Sequence, residues 1–565
     1  MNMESIIQGY ENTKLIKHDD LSPHFPNAVF YDELSERETA GVLKANIYSN
    51  EKLMQIYSQV ENHVGVIAAT RQGKTSSYVI PTIISFAKQK IKRSMIISDP
   101  KGELFDRTAV TLWKHGYKVL VINFRDYIHS ECWNPLTPIY RKYQSIFKIY
   151  DEVELAKTDK GMCYKFREVI YKSRCELDLT IDRLKQIMLE DVGNDIDGMA
   201  QMIVPTTNMN DPYWQDSARE VFKGCLWAML EDSSQDAIKD SKRQLVTEET
   251  FSVTTVLTIL KNMIDDGDDF SDQGFFSSRN KDSKAYSLVK SCMLDNAKTT
   301  RRGVLTSIDT AIAIFKESAI RIITSCNSFD LKEALTSDKP VAIFINYRDE
   351  LKVHYHIISL FIQDAYRILI EHATGQENGK REVPFYFVLD EFGNFPAIKD
   401  FETTISACAG RNIFFILVIQ SYAQLSAVYG SAVAAIIRDN LTMHVFFGSN
   451  NPGTLEEFSK ECGQFTRISP LSALNGKESE IDDYKIETIP LVPQSMLAKL
   501  SPGECIITEA NCGYVMFSKL ERYYLCKELN SLPRADLTSY NCHVNPFDKR
   551  YIYTFTKNKR DIFNF

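Results

Sequence analysis

The run Ala68, Ala69, Thr70, Arg71, Gln72, Gly73, Lys74, Thr75, Ser76 sets a lysine and two hydroxyls directly behind a glycine. It follows an apolar stretch, 64-VGVIA, and precedes a helix-forming one that starts at Thr75. A tight turn at a helix N-terminus aims several backbone N–H groups at one point, and the positive helix end adds to their pull on an anion. This pattern predicts a phosphate loop for ATP. Gly73 lets the backbone come close, Lys74 reaches the β- and γ-phosphates, and Thr75 holds Mg2+. Ala68 stands where such loops usually carry glycine, and it fits there if its φ stays negative. The competing reading is a chance match in a strand, turn and helix.

A second group lies far along the chain. The apolar run 385-FYFVL is followed by Asp390 and Glu391. Asp390 can orient Mg2+ and its waters, and Glu391 can polarise an attacking water. Acidic pairs after strands also serve as helix caps, so the pair gains meaning from the loop that precedes it. The strand 414-FFILVI ends in Gln420, where a polar side chain can sense a γ-phosphate or the lytic water; a glutamine satisfied by backbone is the bland alternative. Arg411, just before that strand, is a candidate arginine finger acting across a subunit interface, against the alternative of an ordinary surface arginine.

Buried parallel strands must position these groups. Short Val-, Ile- and Phe-rich runs at 64, 94, 118, 341, 384, 414, 444 and 504, with helical segments between them, predict an α/β layer fold. From about 140 to 300 the runs give way to Lys-, Glu-, Met- and Leu-rich helical stretches, such as 179-LTIDRLKQIMLEDV and 217-SAREVFKGCLWAMLED. A helical domain is therefore expected inside an α/β core. The chain is ordinary in bulk, 44 % hydrophobic and 25 % charged, with net charge −8. That balance excludes a protein that grips nucleic acid with its whole surface; basic residues for such a task must be local. Twelve cysteines without a C-x-x-C pair argue against a zinc ribbon or disulfide scaffold. No apolar run reaches the roughly 18–20 residues of a membrane span.

Several longer segments resemble one family, the coupling ATPases of type IV secretion and conjugation, the TraG/TraD-type proteins. The likeness rests on 98-SDPKGELFDRTA-109, 133-WNPL-136, 211-DPYWQDSA-218, 388-VLDEFGNFPAI-398, 419-IQSYAQLSAVYG-430 and 489-IPLVPQSMLAKLSPGECIITEANCGYVMFSKLERYY-524, spanning about residues 64–525. The resemblance implies a RecA-like P-loop NTPase core with an inserted all-α domain. It also implies a homohexamer that uses ATP to deliver single-stranded DNA, with its covalently attached relaxase, into a type IV secretion channel. It places the Walker A lysine and the Mg2+-binding hydroxyl on Lys74 and Thr75, the Walker B pair on Asp390 and Glu391, the sensor on Gln420 and the trans arginine on Arg411. Asp99, Lys101 and Glu103 carry a further signature. The expected division is an N-terminal arm (1–58), the core in two parts (59–139 and 301–530), the all-α insert (140–300) and a C-terminal tail (531–565). Members of the family usually begin with membrane-spanning helices and this sequence shows none before its phosphate loop, so two expectations stand: a cytoplasmic protein docked at the membrane through a partner protein, or a chain whose membrane segment is missing from this sequence.

For the DNA strand, 298-KTTRR-302 and 548-DKRYIYTFTKNKR-560 offer phosphate-pairing cations and stacking aromatics, with solvated charged faces as the alternative. Two other functions stay open on sequence alone: a duplex-DNA translocase resembling FtsK or HerA, and a recruitment platform that binds nucleotide but hydrolyses little.

Overall fold

Residues rich in Val, Ile and Phe with no polar alternation can only be buried on both faces, and these runs become the strands of a central sheet. A computed structural model describes residues 14–17, 28–36, 41–49, 51–158, 161–205, 212–234, 245–265, 274–294, 296–470, 484–510 and 512–540. The chain divides into one compact unit of residues 1–125 and 331–541 and a second of residues 126–330 and 542–565.

In chain order the strands are β1 (Lys14–Lys17), β2 (Ala28–Phe30), β3 (Leu43–Ser49), β4 (Lys52–Tyr57), β5 (Val64–Ala68), β6 (Ser94–Asp99), β7 (Lys118–Asn123), β8 (Glu154–Thr158), β9 (Gly161–Phe166) and β10 (Val169–Tyr171). There follow β11 (Val341–Asn346), β12 (Phe385–Leu389), β13 (Ile413–Ile419), β14 (Met443–Gly448), β15 (Gln464–Pro470), β16 (Tyr484–Pro490), β17 (Glu504–Glu509) and β18 (Tyr514–Lys519).

The first unit is built on a ten-stranded sheet in the order β1-β18-β17-β14-β5-β13-β12-β6-β11-β7. From β14 to β7 every neighbouring pair is parallel, and β17 and β18 add antiparallel partners beyond β14. All residues of β5, β6, β11, β12, β13 and β14 are buried. One strand, β13, separates β5 from β12, so the loops after β5, β13, β12 and β6 leave the same edge side by side. That edge, beyond the carboxyl ends of parallel strands, is where open α/β sheets bind ligands. The expected RecA-like P-loop NTPase core is this sheet with its helices.

The first residues differ from the arm expected of them. Strands β2, β4 and β3 form their own antiparallel sheet, and Val29, Leu34, Leu43, Leu53 and Ile56 enter the same apolar core as β5. At the other end, Leu532, Ala535, Leu537 and Tyr540 pack on that core, and Ala535 N–H donates to Asp106 O at 2.8 Å. The basic and aromatic stretch 548–560 lies outside the described residues.

The second unit is mainly helical, with long helices Arg174–Ile203, Tyr213–Glu231, Val253–Asp265 and Lys298–Ala311. It also holds a small antiparallel sheet, β10-β9-β8. It is wider than the stretch marked by composition, because its outer segments bond to each other: Trp133 N–H donates to Ile323 O at 2.7 Å and Asn134 N–H to Asn327 Oδ1 at 2.8 Å. Among the described residues no helix is long and apolar enough to cross a membrane.

On the side of the sheet where the parallel strands begin, Arg93 is wholly buried. Its guanidinium donates to Glu61 through Nε at 3.0 Å and Nη2 at 2.6 Å, and Tyr386 donates to the same carboxylate. Removing one partner of a buried pair strands the other charge at a cost of about 3–5 kcal/mol. Glu61→Ala should therefore lower the thermal unfolding midpoint by several degrees. A variant melting like the parent would show that the pair carries no stability.

Candidate functional site

β5 ends at Ala68 in extended backbone, fully buried, and Ala69 N–H donates to Gly448 O at 2.9 Å, pinning the loop to β14. Positive φ occurs at Arg71 (70°) and Gly73 (92°), not at Ala68. The alanine in the first loop position therefore costs nothing here. At Gly73 the positive φ disfavours any side chain, and a Cβ would also lie a tight 3.0 Å from Ser77 Oγ. Residues Lys74–Val79 then form a wide, π-type turn before the regular helix Ile80–Lys88. Pro81 explains the widening: it has no N–H to give the preceding turn, and its ring would crowd the carbonyl four residues back.

The two halves of the motif meet across the sheet edge. Lys74 Nζ lies 2.6 Å from Glu391 Oε1 and 3.4 Å from Asp390 Oδ1. Thr75 Oγ1 donates to Asp390 Oδ2 at 3.0 Å, and Gln420 Nε2 donates to Glu391 Oε2 at 3.3 Å. Burial pushes the Lys74 ammonium down, but Asp390 and Glu391 more than reverse this and hold its pKa above the ordinary value. Glu391 adopts left-handed backbone (φ 57°), a conformation that costs a non-glycine residue about 1 kcal/mol or more. It is secured by its own N–H, which donates to Asp390 Oδ1 at 2.9 Å.

The remaining signatures support this pair. Ser98 Oγ donates to Asp390 O at 2.9 Å. Asp99, fully buried, accepts from Phe105 N–H at 2.8 Å and so holds the start of helix Glu103–Lys114. Gln424 lies flat on Gly393, where a Cβ would come within 2.2 Å of its amide carbon. Its amide accepts from Gln420 N–H at 3.2 Å and donates to Asn394 Oδ1 at 3.0 Å. The strand ends of β12 and β13 are thus tied together by amides.

A cavity of about 700 Å³ opens over the loop. Thr70, Arg71, Gly73, Lys74, Thr75 and Ser76 line one side, and Lys101, Glu103, Glu391 and Gln420 others. Asp349, Asn394, Arg522 and Tyr524 also face it. Nothing in their local sequence pattern gives these four a role. Asp349 and Asn394 follow β11 and β12 at the same edge, a position that could have marked them. Arg522 and Tyr524 close the long C-terminal signature. Arg411 is not in the lining. It sits at the opposite end of β13, where its guanidinium donates to Ala407 O at 2.9 Å.

In the second unit, the basic run 298–302 is the first turn of helix Lys298–Ala311. Lys298 and Arg302 are exposed. The Trp214 ring lies on Gly303, where a Cβ would approach it to 2.5 Å, and stands edge-on to Tyr213 with centroids 5.2 Å apart. Tyr213 is 45 % and Trp214 38 % exposed. Two accessible aromatic rings therefore stand beside two accessible cations.

Comparison with known proteins decides the family. Residues 32–479 match the family described as type IV secretory system conjugative DNA transfer. The chain belongs to this family. The conjugal transfer protein TraG of Escherichia coli is 23 % identical over 458 residues, which cover 79 % of this chain and 61 % of TraG. VirD4 of Agrobacterium fabrum is 22 % identical over 412 residues, 72 % of this chain and 50 % of VirD4. The chain thus spans about half to three fifths of these relatives. Among solved structures, the bacterial conjugative coupling protein TrwB in an unbound form shares the fold, with TM-score 0.54 at 14 % identity over 87 % of this chain and 91 % of that one. A TrwB complex with ADP and Mg2+ aligns with TM-score 0.53 at 14 % identity, over 87 % of this chain and 92 % of that one.

Asp99 offers a test of the electrostatics in this transfer-family site. Burial pushes its carboxyl up to about 7, opposed by the N–H groups of Phe105 and Leu104 and reinforced by Asp390. The folded chain holds this proton more tightly than the unfolded chain, so the stability it contributes is complete at low pH and is lost as pH rises towards 7. Asp99→Asn removes the titration. Urea unfolding should show the wild type losing stability relative to Asp99→Asn between about pH 4 and pH 7, then running parallel to it. Parallel behaviour throughout would contradict the burial effect.

Proposed function

We propose that the chain is an ATP-hydrolysing motor subunit that drives relaxase-bound single-stranded DNA into a type IV secretion channel, with hydrolysis stimulated by the DNA. One observation carries the reading: Lys74, Thr75, Asp390, Glu391 and Gln420, from three parallel strands, meet in a single hydrogen-bonded cluster beside a cavity. TrwB, which shares the fold, is known in complex with ADP and Mg2+ and with non-hydrolysable ATP and GTP analogues.

The residues present suit these ligands. Gly73 leaves a cradle that a Cβ would fill. Arg71, Lys74, Lys101 and Arg522 supply positive charge for a polyphosphate. Thr75 and Asp390 oxygens, 3.0 Å apart, are hard ligands of the kind Mg2+ takes, and these two side chains would hold the ion. When bound, Mg2+ neutralises charge on the phosphate oxygens. Lys74 exchanges its carboxylate partners for phosphate, which frees Glu391 to take the proton of the attacking water. Gln420, already bonded to Glu391, orients that water. In a homohexamer, Arg411 serves a neighbouring subunit's site, which is supported by its place off the cavity of its own chain.

The DNA strand runs over Lys298, Arg302, Tyr213 and Trp214 through phosphate pairing and stacking, without reading sequence. Local cations on a chain of net charge −8 keep that contact loose and salt-sensitive. The protein works at the cytoplasmic face of the membrane, held there by a partner protein.

Glu391→Gln should lower the ATPase rate on the order of 100-fold or more while binding ATP more tightly than wild type, because Lys74 loses a competing carboxylate. Lys74→Ala should lose both binding and turnover. A wild type no faster than these variants, with single-stranded DNA present, would leave only a recruitment platform. Stimulation by duplex but not by single-stranded DNA would make the chain a duplex translocase.

Trp214→Ala and Arg302→Ala should each weaken single-stranded DNA binding several-fold, the arginine variant also flattening the salt dependence. Fluorescence anisotropy with an oligonucleotide across a salt series checks this. Unchanged affinity in both would remove this face from the strand path.

A further inference from the structure

The lining of the cavity has one member class that the phosphate chemistry does not use. The chain leaves β18 through Leu520 and Glu521 and turns sharply at Tyr523–Leu525, with Leu525 N–H donating to Arg522 O at 2.8 Å. Tyr523 fixes this turn: it is buried to 5 % exposure, and the Arg107 guanidinium from helix Glu103–Lys114 lies 4.8 Å over its ring. Cys526 behind it is wholly buried. Its neighbour Tyr524 does none of this packing. It is 42 % exposed, meets Tyr523 edge-on and turns towards the cavity, where it is the sole aromatic ring among the described lining residues.

Arg522 stands between this ring and the phosphate loop. Its Nη1 donates to the Tyr524 hydroxyl at 2.6 Å, and its Nε lies 3.4 Å from where a Cβ on Gly73 would be. Among the described residues no carboxylate pairs with it. A guanidinium held against a phosphate loop, with no acid to neutralise it, is a site for an anion. The ring beyond it offers an apolar, π-bearing face at the mouth of an otherwise polar cavity.

Resting on the nucleotide reading above, we propose that Arg522 and Tyr524 form a clamp on the bound nucleotide: Arg522 pairs with its phosphates and Tyr524 stacks on its base. Stacking uses the face common to adenine and guanine, so the clamp holds purine nucleotides without choosing between them. It also joins the last strands of the sheet to the nucleotide, and through Tyr523 and Arg107 to the helix that starts at Glu103.

The test measures binding of the imidodiphosphate analogues of ATP and GTP, and of inorganic tripolyphosphate, to the full chain by calorimetry with Mg2+. Tyr524→Ala should weaken both analogues about tenfold and by similar factors, with tripolyphosphate unchanged. Tyr524→Trp should retain wild-type affinity, which also shows that the turn still folds. Arg522→Ala should weaken all three ligands about tenfold. Lys74→Ala, which should bind none of the three, is the control. If Lys74→Ala has lost binding while Tyr524→Ala keeps the affinity of the wild type for both analogues, the clamp is wrong and the phosphate loop stands. If Tyr524→Ala loses tripolyphosphate as strongly as the analogues, base stacking is likewise wrong. If the wild type binds none of the three, or Lys74→Ala binds them equally well, the nucleotide reading itself fails and the clamp with it.

Discussion

At the carboxyl ends of the parallel strands a single ammonium, that of Lys74, lies between Asp390 and Glu391. The same edge also gathers Asp99 and Glu103, whose carboxyls burial pushes up. Like charges at such spacing repel by several kcal/mol in a partly buried setting, so the acidic edge is tenable because a cation and a set of N–H groups are built into it. The signatures at 98–109, 388–398 and 419–430 are parts of that arrangement. Ser98 holds the backbone of Asp390, Asp99 holds the helix after β6, and Gln424 on Gly393 locks the ends of β12 and β13 together. The edge is tied together where the strands end and strained at Glu391, the residue that partners Lys74.

Much of this was legible in the residues. Strands buried on both faces read as unbroken apolar runs, and β5, β6, β7, β11, β12, β13, β14 and β17 all fall where such runs lie. The phosphate loop and the acidic pair were legible because their chemistry is local: a glycine, a lysine and a hydroxyl in sequence, two carboxylates after a strand. The N-terminal sheet was not. Strands β3 and β4 carry Lys44, Asn46 and Gln55, all buried, which breaks the apolar signature. Their partners are Glu509 for Lys44, and Asn46 and Tyr57 for Gln55, and nothing in a linear reading announces them.

The same reason hid Arg522 and Tyr524 and blurred the limits of the second unit. A residue after β18 meets the loop after β5 only because sheet order sets β17 and β18 beyond β14. Segments 126–139 and 301–330 are compositionally neutral, and backbone pairing such as Trp133 to Ile323 decides where they belong. The small sheet β8 to β10 escaped notice because its strands are short and mix charged with apolar residues.

The strand order also bears on how the chain is made. β5, β6 and β7 emerge from a ribosome before any of the strands they pair with, and no two of them are neighbours in the sheet: β5 lies between β14 and β13, β6 between β12 and β11, and β7 pairs with β11. Each must wait, unpaired and almost wholly apolar, until residues 126–330 have been synthesised and the later strands arrive. During translation the nascent segment that carries β5, β6 and β7 is therefore a liability for aggregation. A gene split in this interval would yield an N-terminal fragment with no partner for these three strands, so chaperone demand and resistance to being halved are written into the topology.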